Sequence, residues 1–283
     1  MFIATLVATD RLMRSDVNAV VSDLAAVNCQ PSGWRWLDED IAADVSFSND
    51  SAQAKIVLEH PDWRFDLMVQ SEAGRAKSLL VADMDSTMIT VECIDELADY
   101  AGLKSQVSDV TERAMRGEID FAGALRDRVA LLAGMKESVI AECLRERVKL
   151  MGGAKDLITA FRGAGGEAIL VSGGFTHFTG PVAAEIGFNR AIANRLVVRD
   201  GVLTGEVETP IVDAQTKKGV LLEALKGRDP SISIAIGDGA NDIPMIEAAG
   251  LGIAYHAKPK TIAAADACVR FGDLNVVRYA LGL

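Results

Sequence analysis

The chain has 283 residues, which is long enough for one large domain or two modest ones with a sizeable core. Its 40 acidic residues outnumber its 29 lysines and arginines, so its formal net charge is −11. A surface this acidic repels polyanions, and we therefore expect neither nucleic acid nor an anionic membrane surface as a partner.

The sequence also predicts a cytoplasmic protein without disulfides. No run approaches the roughly 18 apolar residues that a membrane-spanning helix needs, and the first residues lack the basic start of a secretory signal. The four cysteines form no CxxC pair, and the three histidines have no metal-ligand spacing. Reduced thiols are therefore favoured over disulfides or a zinc site.

Residues 1–75 predict a small α+β unit that contains no catalytic constellation. The segment FIATLVA predicts a strand, residues 17–27 a helix, and ADVSFS a second strand. A further strand falls either in KIVLEH or in DWRFDLMVQ. Residues 71–77 have the composition of a linker.

Residues 78–283 predict a doubly wound α/β fold. Four apolar runs, SLLVA, AILVSGG, ISIAIGDG and LGIAY, are bounded by small or polar residues, as buried parallel strands are. Helical sequence between them is typical of a sheet with helices on both faces. Residues 93–151 show amphipathic helical spacing and predict a small bundle over the strand ends, and Asp200-Gly201 predicts a hairpin.

Polar side chains follow these strands, where such sheets bind ligands. Asp83 and Asp85 are two residues apart, so both carboxylates could face one site. Such a pair either binds a hard cation or divides nucleophilic and proton-transfer work. A calcium loop is one alternative, but Met88 and Ile94 stand where it needs glycine and glutamate. A helix cap is the other alternative.

Two further elements could meet a phosphate group. Ser172 and Gly173 offer a hydroxyl and a backbone N–H that suit a phosphate oxygen, although a plain strand-to-helix turn explains them equally well. A lysine at the start of the helix KKGVLLEAL could act as a point charge. We favour Lys218 for this role, but spacing does not exclude Lys217.

The last element is GDGAND, in which Asp238 and Asp242 follow another strand. Loop carboxylates of this kind suit magnesium, and a turn is the alternative. The four elements together resemble the ordered motifs of the haloacid dehalogenase superfamily of aspartate-nucleophile phosphohydrolases. DMDST resembles its first motif, SGG its second, Lys218 its third and GDGAND its fourth, over residues 78 to 275.

Within that superfamily the chain resembles the phosphoserine phosphatase family. The similarity lies in DMDSTMITVECIDELA, TERAMRGEIDFAGALRDRVALL, VSGGF, ANRL and GDGANDIPM. It implies a phosphatase core in residues 78–92 and 152–283, with a helical cap in 93–151. It further implies Mg²⁺-dependent hydrolysis of O-phospho-L-serine to L-serine and phosphate, the last step of phosphorylated serine synthesis.

The resemblance also implies a role for each motif residue. Asp83 would be the nucleophile that forms an aspartyl phosphate, and Asp85 the general acid and then base. Mg²⁺ would be held by the Asp83 carboxylate, the Asp85 main-chain carbonyl and Asp238, with Asp242 in support. The groups that would hold the phosphoryl oxygens are Ser172, Gly173, Lys218 and Asn241.

Substrate choice is implied by residues in or near the cap. Glu92 would bind the substrate ammonium, and Arg128 would bind its carboxylate with a bidentate fork. Met115 and Phe121 would close the site against water. Met115 and Phe121 at helical spacing are otherwise core residues, and Arg128 is otherwise a solvated side chain.

The N-terminal unit weakly resembles ACT-like extensions. Homodimer formation, binding of serine as a feedback signal, and simple cover for the sheet stay open, and we favour the first. Two other functions stay open for the whole chain. One is a related enzyme that acts on another small phosphomonoester or transfers the phosphoryl group to an alcohol such as homoserine. The other is an amino-acid sensor with a vestigial hydrolase.

Overall fold

The computed structural model describes residues 1–60, 62–115 and 118–283, with Met115 described by its backbone alone. The N-terminal unit has the order βαββαβ and forms one antiparallel sheet with strand order β2-β3-β1-β4, which is a ferredoxin-like arrangement. Its elements are β1 (Phe2–Ala8), α1 (Arg14–Ala26), β2 (Pro31–Asp38), β3 (Ala42–Phe47), α2 (Ser51–Leu58) and β4 (Phe65–Ser71).

Two elements of this unit differ from the sequence expectation. The KIVL segment belongs to helix α2, whose first turn is capped by Asp50 accepting a hydrogen bond from the Gln53 N–H at 3.0 Å. A short apolar run does not by itself distinguish a strand from a helix, so the strand falls in the second of the two predicted places, as β4. Strand β2 was not predicted, because Pro31 and Gly33 interrupt it and its register shifts at both ends.

The second sheet is six-stranded and entirely parallel, with strand order β12-β11-β10-β5-β6-β7. This confirms the predicted doubly wound α/β fold. The chain runs from the central strand β5 to β6 and β7 on one side and later to β10, β11 and β12 on the other, so the topological switch point lies at β5. The strands are β5 (Leu79–Ala82), β6 (Glu167–Phe175), β7 (Arg190–Asn194), β10 (Ser233–Gly237), β11 (Gly252–Tyr255) and β12 (Ala267–Val269).

Of the helices between β5 and β6, four fall within residues 93–151, and we refer to them as the cap helices: α3 (Cys93–Tyr100), α4 (Lys104–Met115), α5 (Phe121–Ala130) and α6 (Ser138–Arg147). The predicted hairpin, β8 (Leu196–Arg199) and β9 (Val202–Val207), turns through Asp200 and Gly201, which both have positive φ. Backbone hydrogen bonds join Leu203 of this hairpin to Gly134 and Met135 beside the cap, at 2.9 and 2.8 Å. The hairpin therefore supports the cap.

The remaining helices pack around the parallel sheet, and they are α7 (Ala154–Gly163), α8 (Thr176–Ile186), α9 (Ala214–Leu225), α10 (Ile243–Ala248), α11 (Pro259–Ala264) and α12 (Asn275–Leu281). Among the described residues, no helix combines the length and the apolar character of a membrane span.

The two sheets share one apolar interface. Alternate residues of β1 point to opposite faces, so that Leu6 packs under the N-terminal helices while Val7 packs with Met68 against the core of the parallel sheet. Polar contacts add to this packing. Arg75 pairs with the buried Asp44 at 2.6 Å and donates to the carbonyls of Tyr279 and Ala280 in α12. The N-terminal unit is thus bound to the last helix of the chain.

A second polar contact across this interface is made by Asp66 of β4, which is buried. Its carboxylate accepts hydrogen bonds from the backbone N–H groups of Arg270 at 2.6 Å, Phe271 at 3.2 Å and Gly272 at 2.7 Å. A Cβ atom on Gly272 would lie 3.1 Å from Asp66 Oδ2 and 2.4 Å from Val276 Cγ2, so the loop approaches as closely as only glycine allows. Asp66 therefore fixes the loop between β12 and α12.

Replacing Asp66 should destabilise the protein strongly. In Asp66→Ala, three backbone donors lose their partner, and we expect the free energy of unfolding to fall by about 3 kcal/mol. Urea unfolding would measure the change. Asp62→Ala is the matched control, because the Asp62 side chain is 84% exposed. If both variants lost the same small amount of stability, the loop would not depend on Asp66.

Candidate active site

The first motif begins where β5 ends. Strand LLVA is fully buried between its neighbours, and the Asp83 N–H continues the ladder by donating to the Ile236 carbonyl at 3.0 Å. This places the Asp83 carboxylate at the switch point of the sheet, where it is 4% exposed. Its Oδ1 accepts from the Met84 N–H at 2.8 Å and from Lys217 Nζ at 2.6 Å. In the described part of the chain, Oδ2 has no hydrogen-bond donor and can meet a bound molecule.

Lys217, not Lys218, is the lysine of this site. Lys217 Nζ lies 2.6 Å from Asp83 Oδ1 and 2.7 Å from Asp242 Oδ1, and the side chain is 1% exposed. Lys218 is the next residue of helix α9, points about 100° away from it and is half-buried. The prediction of Lys218 as a phosphate-binding residue is therefore wrong.

The apolar spacing of the sequence does not by itself make this choice, and the buried face of the helix does. The buried face of α9 comprises Lys217, Val220, Leu221, Ala224 and Leu225. Lys217 is three and four residues before two of these apolar positions, so it belongs to the i, i+3, i+4, i+7 stripe that faces the sheet. Lys218 is followed at the same spacings by Leu221, Leu222 and Leu225, but Leu222 is 48% exposed, so the structure and not the spacing shows which lysine faces the sheet.

Asp242 fixes the backbone of the fourth motif through hydrogen bonds. Its Oδ1 binds Lys217, and its Oδ2 accepts from the N–H groups of Asp238 at 3.2 Å and Gly239 at 3.1 Å. A Cβ atom on Gly237 would lie 2.4 Å from Asp242 Cγ, so glycine is needed for this close approach. Both oxygens of Asp242 are therefore engaged in holding the loop and the lysine.

The carboxylates fit a hard cation. Asp83, Asp238 and Asp242 each offer an oxygen within 4.8 Å of the others. Asp238 is half-buried at the cleft, and its Oδ1 accepts only a long hydrogen bond of 3.4 Å from Thr87 Oγ1. Asp85 Oδ1 is buried without a hydrogen-bond partner among the described residues. Carboxylate oxygens that have few or no protein partners at a cleft are suited to act as metal ligands or proton carriers.

Burial and neighbouring charges shift the pKa values of the ionisable groups in the site. Burial raises the pKa of Asp83 well above its usual value, the charge of Asp242 adds to this, and Lys217 partly counteracts it. Burial and the charge of Glu92 raise the pKa of Asp85 to about 7. Burial favours the neutral amine of Lys217, but the charges of Asp83 and Asp242 outweigh it, so the pKa of Lys217 is raised. The site thus pairs a lysine whose charged form is stabilised by two carboxylates with a carboxyl group that can carry a proton near neutral pH.

The second motif lies at the end of β6. Ser172 Oγ accepts from the Gly174 N–H at 2.8 Å, and both Ser172 and Gly173 line the cleft. Asn194 fixes this segment, since its Nδ2 donates to the Gly173 carbonyl and its Oδ1 accepts from the Val212 N–H, both at 2.8 Å. Asn194 belongs to the segment ANRL, whose sequence predicts no role for it. The structure shows that it joins the glycine loop to the segment that leads into α9.

Residues of the cap helices α3, α4 and α5 form one wall of the cleft, which measures about 410 Å³. Phe121 at the start of α5 lies over the glycine loop, with its Cζ 3.3 Å from where a Cβ of Gly173 would be. Glu92 accepts from Ser86 Oγ at 2.8 Å, and Arg128 donates its Nε–H to the Ala124 carbonyl at 3.2 Å. These three predicted residues and Asn241 all line the cleft with the core motifs. The Met115 side chain lies outside the described residues.

The cleft also contains residues that the sequence analysis did not single out, among them Asp95 and Lys258. Lys258 follows β11, and its N–H donates to the Asp238 carbonyl at 3.2 Å. No local pattern marks either residue, because both reach the cleft through the fold. A larger crevice of about 510 Å³ lies between the N-terminal unit and α12, and it contains none of the predicted site residues.

Comparison with known proteins agrees with this geometry. Residues 80–247 match the family model of haloacid dehalogenase-like hydrolases. The chain is 46% identical over 204 residues to a phosphoserine phosphatase of Albidiferax ferrireducens, which covers 70% of this chain and 86% of that protein.

Two solved structures resemble nearly the whole chain. A HAD family hydrolase from Salmonella enterica serovar Typhi has a TM-score of 0.86 and 26% identity, covering 99% of both chains. A probable phosphoserine phosphatase from Vibrio cholerae has a TM-score of 0.77 and 32% identity, covering 99% of this chain and 86% of that one. The similarity therefore includes the N-terminal unit.

Proposed function

The chain belongs to the haloacid dehalogenase-like hydrolase family, and from this premise we propose that it is a phosphatase that hydrolyses O-phospho-L-serine to L-serine and phosphate. The observation that carries the proposal is the position of Asp83. One of its oxygens is held by Lys217 and the Met84 N–H, while the other faces the cleft beside Asp85 and Asp238. A fixed carboxylate at the switch point is suited to attack phosphorus.

The proposed reaction has two steps on the same carboxylate. Asp83 Oδ2 attacks phosphorus, the P–O bond to serine breaks, and Asp85 gives its proton to the leaving oxygen. Asp85 then takes a proton from water, whose oxygen attacks the aspartyl phosphate and releases phosphate and the Asp83 carboxylate. A pKa of about 7 lets Asp85 serve in both directions.

We propose Mg²⁺ as the cation of this site. The carboxylates of Asp83 and Asp238 and the main-chain carbonyl of Asp85 would hold it, with Asp242 behind them holding the loop. When bound, the ion offsets the repulsion between an anionic nucleophile and an anionic phosphoryl group. Lys217 already neutralises part of the charge of Asp83, which keeps Oδ1 in place during attack.

The cleft also contains groups that would recognise a zwitterionic substrate. The Glu92 carboxylate suits an ammonium, and the Arg128 guanidinium suits a carboxylate. The Ser172 hydroxyl and the Gly173 N–H would bind phosphoryl oxygens, and Asn241 would orient them. Phe121 would exclude water from the closed site.

Phosphate release under Mg²⁺ and after EDTA treatment tests this proposal. We expect O-phospho-L-serine to have the highest kcat/KM, and phosphoethanolamine and phosphoglycolate to be at least about 100-fold poorer, because each leaves one charged group of the cleft without a partner. EDTA should abolish turnover, and added Mg²⁺ should restore it. A better substrate than phosphoserine, or transfer of the phosphoryl group to added homoserine, would overturn the specific assignment.

This activity would place the protein at the last step of phosphorylated serine synthesis in the cytoplasm. Homodimer formation through the N-terminal unit stays a prediction. Sedimentation equilibrium of the full chain would test it.

A further inference from the structure

Lys258 lines the cleft. Hydrogen bonds hold its backbone in place, and its ammonium forms no ion pair among the described residues. Its N–H donates to the Asp238 carbonyl at 3.2 Å, and its own carbonyl accepts from the N–H groups of Thr261 at 2.9 Å and Ile262 at 3.1 Å. The preceding turn is held by His256, whose Nε2 contacts the Gly272 carbonyl at 2.9 Å. The side chain is exposed, and no described carboxylate forms an ion pair with it.

The Lys258 ammonium is one of few positive charges among the acidic residues that line the cleft. The lining carboxyl groups are Asp83, Asp85, Glu92, Asp95 and Asp238. The only lining cations among the described residues are Arg128 and Lys258. The ammonium of Lys217 beneath the cleft already contacts two carboxylates. An anionic ligand that approaches a chain of net charge −11 therefore meets a predominantly negative opening.

The two lining cations differ in position. Arg128 is half-buried on cap helix α5, and its Nε–H is donated to a carbonyl of its own helix. Lys258 is on the core side of the opening, attached through its backbone to the loop of Asp238.

We propose that Lys258 binds the phosphoryl group of the substrate at the opening of the cleft and guides it past the carboxylates that line the cleft toward Asp83. This inference rests on the proposed phosphatase function and adds a substrate-binding residue to it. A local cation beside low-dielectric walls increases the local concentration of an anionic ligand, and its effect falls as salt screens it. Lys258 therefore contributes mainly to kcat/KM, and its contribution depends on ionic strength.

The test compares Lys258→Ala with Lys260→Ala, since Lys260 is an exposed lysine in the first turn of α11, directly after Lys258, and does not line the cleft. At low salt we expect Lys258→Ala to lower kcat/KM for O-phospho-L-serine about tenfold. Near 1 M salt, where the Debye length is about 3 Å, the difference from the wild type should largely vanish. Lys258→Arg should retain the wild-type salt profile, and Lys260→Ala should match the wild type throughout.

The inhibition constant of inorganic phosphate gives a second readout. It should rise in Lys258→Ala and stay unchanged in Lys260→Ala. If Lys258→Ala retained the wild-type kcat/KM at low salt, or if its loss persisted unchanged at high salt, capture by this charge would be refuted. A wild-type protein that fails to release phosphate from phosphoserine would instead overturn the proposed function, so the two failures are distinguishable.

Discussion

Asp83→Asn should reduce turnover by at least about 10⁴-fold, because a neutral amide cannot replace the carboxylate as the nucleophile. The fold should survive. The amide oxygen can still accept from the Met84 N–H, and the change removes one of two neighbouring buried negative charges. We therefore expect the thermal midpoint of the metal-free variant to be no lower than that of the wild type. Single-turnover phosphate release and thermal unfolding would measure both effects.

A control variant with the same change in charge tests whether the loss of turnover is specific to Asp83. Asp200→Asn removes one negative charge at the turn of the hairpin, where asparagine tolerates the positive φ of 51°, and should leave turnover unchanged. Acid-quenched wild-type enzyme should carry a phosphoryl group on Asp83 by peptide mass spectrometry, and Asp83→Asn should carry none. A variant that retained near-normal kcat, or a phosphoryl group found on another residue, would contradict the assignment.

The sequence could predict the parallel sheet and the acidic floor of the site for the same physical reason. Buried parallel strands are continuous apolar runs, and the polar residues that follow them must lie at one edge of the sheet. Asp83 and Asp238 directly follow β5 and β10 in this way, and Ser172 lies near the carboxyl end of β6.

Residues whose role depends on distant contacts could not be found in this way. Asn194 joins two segments that are 21 and 18 residues away along the chain, and Asp66 holds a loop more than 200 residues away. Neither residue is part of a periodic pattern, so each is indistinguishable from an ordinary polar residue before the chain is folded. The alternative that placed a strand in KIVLEH was wrong for a different reason. The helix found there depends on the Asp50 cap and on packing against the sheet.

Lys217→Ala should lower kcat by about 10³-fold or more, whereas Lys218→Ala should retain wild-type turnover. Lys217 is the only described cation in contact with Asp83, so its loss removes the group that fixes Oδ1 and offsets negative charge as the phosphoryl group transfers. It also leaves Asp83 and Asp242 as buried carboxylates without a cation, and we expect a loss of about 3 to 5 kcal/mol in unfolding free energy without metal. Kinetics and urea unfolding of both variants would measure these effects.

Loss of folding must be separated from loss of chemistry. Kinetic measurements at a temperature where circular dichroism shows folded Lys217→Ala isolate the chemical effect. Lys217→Arg keeps the charge in a larger, planar group that the fully buried site does not fit, so it should recover stability more than kcat. Because Lys217 and Lys218 are adjacent in one helix, the pair differs only in which face each occupies. A large loss in Lys218→Ala with normal turnover in folded Lys217→Ala would show that Lys218, and not Lys217, acts on Asp83.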